Sequence, residues 1–365
     1  MNKQKTLFIT GITGGLGKEL LELLLEKTEN QLFLLVRPKG SESQETRIKK
    51  LLGRIGINGK AANRIQVFGG DVTQPRLGLV EKDWETVTSE ADEFYHSAAL
   101  TNLGATWDEA EKINLQGTLN LIELALEAKR KGRLRRFFYF STAYVAGSRT
   151  PIHAMEDELP ENPVFGNYYE ATKFQAEKKV REELATHVPT TIFRPSIVVG
   201  DSKNGAISEF NVIYPFMRLF AHGLLKKIPS EIDHSFNIVP IDFVINAAFV
   251  LSQQTASIGK TFHLVSEDPP TLKMLLEVKE EYGNFPSVDV VPPEEFSIED
   301  LTHEERQVFS TLNPYLGYLD GILTFDTTNA RKALKETGVS FPKTDRSFLK
   351  KLIDYAITRG YFLNC

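Results

Sequence analysis

An α/β fold, a doubly wound parallel sheet followed by a smaller and mostly helical C-terminal portion, is what this chain predicts. Three observations carry that expectation. The first half alternates short, near-continuous apolar runs with helical periods, the pattern of a parallel sheet covered on both faces. A glycine-rich turn, TGITGGLG at residues 10–17, stands where the first strand meets the first helix. After Arg194 the rhythm breaks into mixed segments punctuated by proline.

The elements follow in order. Apolar runs predict strands at Lys5–Thr10, Gln31–Val36, Arg64–Phe68, Asp92–His96, Arg135–Ser141 and Thr190–Arg194. Between them, 3.6-residue periods predict helices at Gly15–Thr28, Glu42–Arg54, Trp84–Ser89, Trp107–Lys129 and Tyr168–His187. Past Pro195 and Gly200 a helix is expected over Ser208–His222. FNIVPIDFVINAAFVLS reads as strand into helix, and Lys260–Val265 as a further strand. Pro269–Pro270, Pro286, Pro292, Pro293 and Pro314 are expected breaks, with amphipathic helices at Thr302–Leu312, Thr328–Thr337 and Arg346–Arg359. This organisation suggests a nucleotide-binding unit from 1–200 with 236–265, and a substrate-binding portion from 201–235 with 266–365.

Composition narrows the function classes. With 365 residues and 41% apolar content the chain can bury a full core. A net charge of −5 gives no electrostatic case for nucleic acid. One cysteine, Cys365, excludes an intramolecular disulfide and suits a reducing, cytoplasmic setting; it reads as an inert tail thiol. The seven histidines lack ligand-like spacing, so no structural metal is expected. The start, MNKQKTLFITGITGG, runs straight into a strand rather than a signal peptide, and no apolar run approaches a membrane span.

The chemistry sits in a few motifs. In TGITGGLG, Gly11, Gly14 and Gly17 fall at three-residue spacing, with Thr13, Gly15 and Leu16 between them. A strand–turn–helix of this kind gives a tight turn, close backbone approach to a pyrophosphate and free amides at a helix N-terminus. That is the Rossmann-type arrangement, although the spacing differs from G-x-G-x-x-G. The second strand ends in Arg37, where a cation accommodates a ribose 2′-phosphate and an acid would instead bind the 2′-hydroxyl. Arg37, with Arg47 and Lys39 nearby, therefore favours NADP(H) over NAD(H). Asp71, in Gly70–Asp71–Val72 after the third strand, is placed to accept from an adenine amino group. The small Ala98 and Ala99 of HSAAL, after the fourth strand, let a cofactor pass close.

Tyr169 and Lys173 are one helical turn apart and share a face. A neighbouring ammonium favours phenolate and lowers the phenol pKa, and the same ammonium can hold a nicotinamide ribose. STAYVAG at 141–147, at the end of the fifth strand, offers a hydroxyl beside them. Tyr168 is the rival phenol but stands five residues from Lys173. KRKGRLRR at 129–136 reads as a charged helix end rather than a docking patch. Phe309, Tyr315, Tyr318 and Phe325 read as core of the small portion before they read as an acyl channel.

Together, the Gly-x-x-Gly-x-x-Gly turn, the Asp71 turn, Ala98–Ala99, Thr142–Tyr169–Lys173 and Arg194–Pro195–Ser196 resemble an extended short-chain dehydrogenase/reductase. LLVRPKG, GGDVTQPRLGL, FYHSAALTNLGATWDEAEKINLQGT, YEATKFQAE and FRPSIVVGDSKNG are similar to the thioester reductase and fatty acyl-CoA reductase branch. The resemblance covers about residues 5–265 well and, DTTNARKAL apart, the last hundred poorly. It implies that Thr142, five residues before Gly147, is the catalytic hydroxyl rather than Ser141. It further implies that Asn114 supports Lys173 through water and that Pro195 and Ser196 flank the nicotinamide. The implied reaction is NADPH-dependent reduction of an acyl thioester, to an aldehyde and then an alcohol if a second hydride follows. The thioester would arrive on CoA or an acyl carrier protein from outside this chain. Ketone reduction, nucleotide-sugar epimerisation or dehydration, and dinucleotide sensing without turnover are the alternatives.

Overall fold

The computed structural model describes residues 4–362 apart from 148–151, 225, 284, 320 and 322; Cys365 lies outside the described residues. Seven parallel strands form the central sheet: β1 (Thr6–Thr10), β2 (Gln31–Val36), β3 (Ile65–Gly69), β4 (Glu93–His96), β5 (Arg136–Phe140), β6 (Thr190–Pro195) and β7 (Thr261–Leu264). Their order across the sheet is β7-β6-β5-β4-β1-β2-β3. The order reverses between β1 and β4, the switch point at which a doubly wound sheet opens a crevice beyond its strand ends.

Side-chain alternation along each strand builds two cores. Leu7 and Ile9 of β1, Leu32 and Leu34 of β2, and Phe138 and Phe140 of β5 face one side. They pack under α1 (Gly15–Lys27), α2 (Gln44–Arg54) and, later in the chain, the helix Ile241–Gln253. Phe8, Phe33, Leu35, Phe137 and Tyr139 face the other side, under α3 (Glu81–Glu90), α4 (Gly117–Arg130) and α5 (Tyr168–Lys179). The period of two explains why the strands read as continuous apolar runs: both faces are covered.

The expected helices form, with informative departures. The segment expected to be one helix over Trp107–Lys129 widens to a π-turn at Glu111–Gln116 before α4 begins, and the one expected over Tyr168–His187 ends its α-turns at Lys179 and closes with a π-turn to Leu184. The helix expected from Ser208 starts only at Ile213, as α6 (Ile213–Ala221). Val212 sets that limit, because its φ of 41° breaks the helical path, while Pro215 is tolerated in the first turn where its missing N–H has no helical partner anyway. Residues 207–212 are instead an irregular strap.

Next come α7 (Ile241–Gln253), α8 (Leu272–Glu280), α9 (His303–Leu316), α10 (Thr328–Leu334) and α11 (Arg346–Thr358). α9 runs through Pro314, an expected break; the proline falls in the last turn, where a lost bond is tolerated. Aromatic and aliphatic residues of α6, α8, α9 and α11 form a third core with Leu103, Tyr144, Ile197 and Ile238. Ala330 and Leu334 of α10 join the core under α1 and α7 instead. Short parallel pairs, Ile197–Val199 with Ile238–Pro240 and Lys227–Pro229 with Asp289–Val291, tie this part together. Among the described residues no helix is long and apolar enough to cross a membrane.

Candidate active site

The cleft opens at the strand ends around the switch point, in two adjoining parts. The outer part, about 550 Å³, is lined by Thr10–Gly14, Val36, Arg37, Arg47, Gly70–Thr73 and Ser97–Asn102. The inner part, about 190 Å³, is lined by Gly14–Gly17, Thr142, Tyr144, Tyr169, Lys173, Pro195–Val198 and Tyr318. Gly11, Gly14, Ser97, Ala99 and Thr101 belong to both.

The glycine turn fits a dinucleotide for stated reasons. Gly11 has φ of 78°, and a Cβ there would lie 2.4 Å from the Ala98 nitrogen. A Cβ on Gly17 would lie 2.2 Å from the Gly11 carbonyl oxygen. Those two glycines are required by the protein's own packing, β1 against β4 and turn against helix. Gly14 and Gly15 are not so required, their nearest neighbours being at 3.4 and 3.5 Å, ordinary contact distance, and both line the inner cleft. No side chain caps α1, whose first-turn residues line the inner cleft, so its N-terminal amides have no side-chain partner.

At the outer end Arg37 lies 3.6 Å from the Asp71 carboxylate and is more than half exposed. Arg47 donates to the Arg37 carbonyl, so both guanidinium groups and Asp71 converge on one rim. Asp71 also accepts from the Thr73 amide, and Asn120 of α4 donates to the Val72 and Gln74 carbonyls. No local pattern singles out Asn120, because its targets lie 48 and 46 residues away.

At the inner end Tyr169, Thr142 and Lys173 come together. Thr142 caps the turn after β5, donates to the Pro195 carbonyl at 3.4 Å, and lines the same inner cleft as Tyr169. Ser141 points away, donating to Glu177 at 2.5 Å. Tyr168 faces outward, half exposed, with its ring edge-on to Trp107. Burial pushes the Tyr169 phenol up to about 12, against the Thr142 hydrogen bond that lowers it. Lys173 does not lower it: its Nζ donates instead to the Tyr139 hydroxyl at 2.9 Å and the Phe140 carbonyl at 2.8 Å, and sits 4.3 Å from the Tyr139 ring. The expected phenolate is therefore corrected to a neutral phenol, because desolvation outweighs a cation that is bonded elsewhere. Burial brings Lys173 itself down to about 7, opposed by Glu177.

Asn114 is held at the site by direct bonds. Its amide pairs with both backbone groups of Leu100 and donates to Thr172 at 3.0 Å, fixing the loop after β4 to α5. The π-turn carrying it brings it to Leu100. Ser196, in contrast, is 5% exposed and its hydroxyl has no partner among the described residues, so an unsatisfied donor and acceptor lies in the inner cleft beside Pro195.

Beneath these residues lies a buried charge cluster that the sequence motifs do not announce. Glu177 accepts from Arg194 at 2.7 and 3.1 Å, from Arg181 at 2.8 Å and from Ser141, while Arg194 also donates to the carbonyls of Met155, Glu156 and Glu158. Burial would raise the Glu177 carboxyl, but the Arg194 and Arg181 guanidiniums and the Ser141 hydroxyl outweigh it and hold it at about 2. Replacing Glu177 with Gln leaves Arg194, itself 1% exposed, without its counter-charge and is expected to cost about 3–5 kcal/mol in denaturant unfolding. Since the folded value lies below the unfolded one, the wild-type contribution is full above about pH 4.5 and is lost as pH falls toward 2. The gap between variant and wild type should therefore narrow in acid.

The C-terminal portion is bolted to the start of α5. Asn167 caps α5 and its amide donates to the Pro314 carbonyl at 3.3 Å, the Tyr318 hydroxyl at 3.2 Å and Glu170 at 3.1 Å. Tyr318 is both core and wall: it is buried and lines the inner cleft edge-on to Tyr144. Phe309 is buried core, and Tyr315 reaches the outer cleft. The basic run at 129–136 is largely consumed locally, with Lys131 on Glu85, Arg133 on Asp92, and Arg136 on the Ser252 and Gln254 carbonyls. Among the described residues no cluster of metal-ligating side chains occurs.

A family model described as male sterility protein, an NAD-binding domain, matches residues 9–248. The chain belongs to that family. Its nicotinamide-dinucleotide domain is thus the cleft-forming sheet described above. Within the solved structures, the terminal R domain from the myxalamid PKS-NRPS biosynthetic pathway is 28% identical, with a TM-score of 0.84 over 99% of this chain and 92% of that one. Among curated relatives, a linear gramicidin synthase of Brevibacillus parabrevis is 27% identical over 96% of this chain but only 7% of its own length. The fatty acyl-CoA reductase wat of Drosophila melanogaster is 29% identical over 67% of this chain and 53% of its own. The chain therefore spans only part of the length of these two curated relatives, and it aligns with reductases.

Proposed function

We propose that the chain is an NADPH-dependent reductase of acyl thioesters, carried on CoA or on an acyl carrier protein, that releases an aldehyde and, on a second reduction, an alcohol. The observation that carries the reading is that Thr142, Tyr169 and Ser196 line the same inner cleft as the glycine turn, with the Ser196 hydroxyl unpartnered among the described residues. The likeness to a synthetase R domain and to a fatty acyl-CoA reductase supports the thioester.

Gly11, Gly14–Gly17 and the α1 N-terminus would hold the pyrophosphate, Arg37 and Arg47 the 2′-phosphate, Asp71 and Val72 the adenine end, Ala98 and Ala99 the passing chain, and Pro195 and Ser196 the nicotinamide end. The bound cofactor would supply the hydride that reduces the carbonyl carbon. Thr142 and Tyr169 grip the carbonyl oxygen, and the neutral phenol gives it a proton as charge develops there. The resulting hemithioacetal loses its thiol and leaves the aldehyde. Lys173, bonded to Tyr139 and Phe140, sets the floor of the site one turn below Tyr169. The portion from 201–235 and 266–365 would shape the acyl side through Tyr318 and the strap.

Cofactor oxidation with a long-chain acyl-CoA, a carrier-bound acyl group and a simple aldehyde tests this reading. The thioesters should be consumed, with NADPH preferred over NADH. Inert thioesters alongside turnover of a ketone or a UDP-sugar would overturn the substrate assignment.

A further inference from the structure

The strap at 207–212 crosses the junction between the two parts of the cleft and carries Asn211, whose side-chain oxygen no group among the described residues uses. Asn211 lines both parts, and its side-chain Oδ1 is buried with no hydrogen-bond partner among the described residues. A buried amide oxygen without a donor carries a desolvation cost that a bound N–H would relieve. Ser196, across the inner cleft, is unsatisfied in the same way.

The strap is held rather than loose. The Tyr355 hydroxyl donates to the Ile207 carbonyl, and the Phe210 ring packs against Tyr214 and Tyr361 with centroids 4.9 and 4.2 Å apart. The Asn211 carbonyl accepts from the Tyr214 amide at 3.1 Å. Between these anchors Val212 is forced to φ 41° and ψ −81°, a conformation that a β-branched residue does not choose. The anchors fix where Asn211 sits, so its amide is aimed before any ligand arrives.

We propose that Asn211 is a specificity-determining residue that accepts a hydrogen bond from an amide N–H of the bound reactants at the junction. Two sources carry that chemistry: the carboxamide of the nicotinamide ring, and the amide of the pantetheine arm that CoA and carrier thioesters share. The inference rests on the reductase reading of the cleft.

The test uses the whole chain as wild type, Asn211→Leu and Asn211→Asp. Cofactor affinity is measured by fluorescence titration with NADPH and with its 3-acetylpyridine analogue, which lacks the amide N–H. kcat/KM is measured for an acyl-CoA and for the same acyl group on ethanethiol, which has no amide. Asn211→Leu is expected to weaken one amide-bearing ligand about tenfold while leaving its amide-free counterpart within twofold. Loss on NADPH alone assigns the N–H to the cofactor; loss on the acyl-CoA alone assigns it to the substrate. Asn211→Asp, which keeps an acceptor of the same shape, should retain most of the affected affinity, and its melting temperature shows whether folding is intact. A leucine variant that leaves all four ligands unchanged, or weakens amide-bearing and amide-free ligands alike, overturns the proposal. Wild type that neither binds NADPH nor reduces thioesters defeats the reductase reading itself, a separate result.

Discussion

Replacing Tyr169 with Phe should lower kcat by about 10²–10⁴-fold while leaving the fold and the affinity for NADPH within about twofold of wild type. The size follows from position and protonation. The phenol lies on α5 at the inner cleft with Thr142, and burial pushes it up to about 12, so it is neutral. A neutral phenol is a proton donor at neutral pH, which is what reduction of a carbonyl requires. The phenylalanine ring fills the same space, so the variant removes the proton without opening a cavity. Single-turnover measurement of hydride transfer, beside a binding titration, separates the two quantities. Unchanged turnover would move the acid to another group. A protein that only senses dinucleotide would show no turnover to lose.

The second large effect is expected at Arg37. Arg37→Ala should weaken NADPH binding about 10–100-fold, the range of a hydrogen-bonded charge contact, and leave NADH binding within about twofold. Its pairing with Asp71 at 3.6 Å is half exposed and so worth little, leaving the guanidinium available to a phosphate. Titration of both cofactors against variant and wild type reads the ratio directly. An equal loss for both would place Arg37 on a moiety that the two share, and no loss would hand the 2′-phosphate to Arg47 or Lys39.

Much of the fold and site is legible because it is written in short stretches of chain. The glycine turn, the paired phenol and lysine, and the alternating strands each need only a window of ten or so residues, and each takes the shape its local pattern requires. What stays hidden joins distant segments. Lys173 meets Tyr139 across 34 residues, because period-two alternation turns Tyr139 toward α5 while its neighbours Phe138 and Phe140 face away. Glu177 and Arg194 read separately as a helix glutamate and a strand arginine; only the fold buries them as one cluster. The neutral state of Tyr169 is invisible in the motif for the same reason, since desolvation is a property of the assembled site. The strap reads as helix because Phe210 continues the helical spacing of Ile213, Tyr214 and Met217, a period that the backbone at Val212 interrupts.

The Asn167 cluster has a practical consequence for anyone recombining relatives of this chain. One amide simultaneously starts the helix bearing Tyr169 and grips the end of α9. Grafting a foreign cap over residues 303–318 would thus shift Tyr169 unless the 166–170 turn is transplanted with it. The two stretches, separated by 147 residues between Asn167 and Pro314, form one heritable unit.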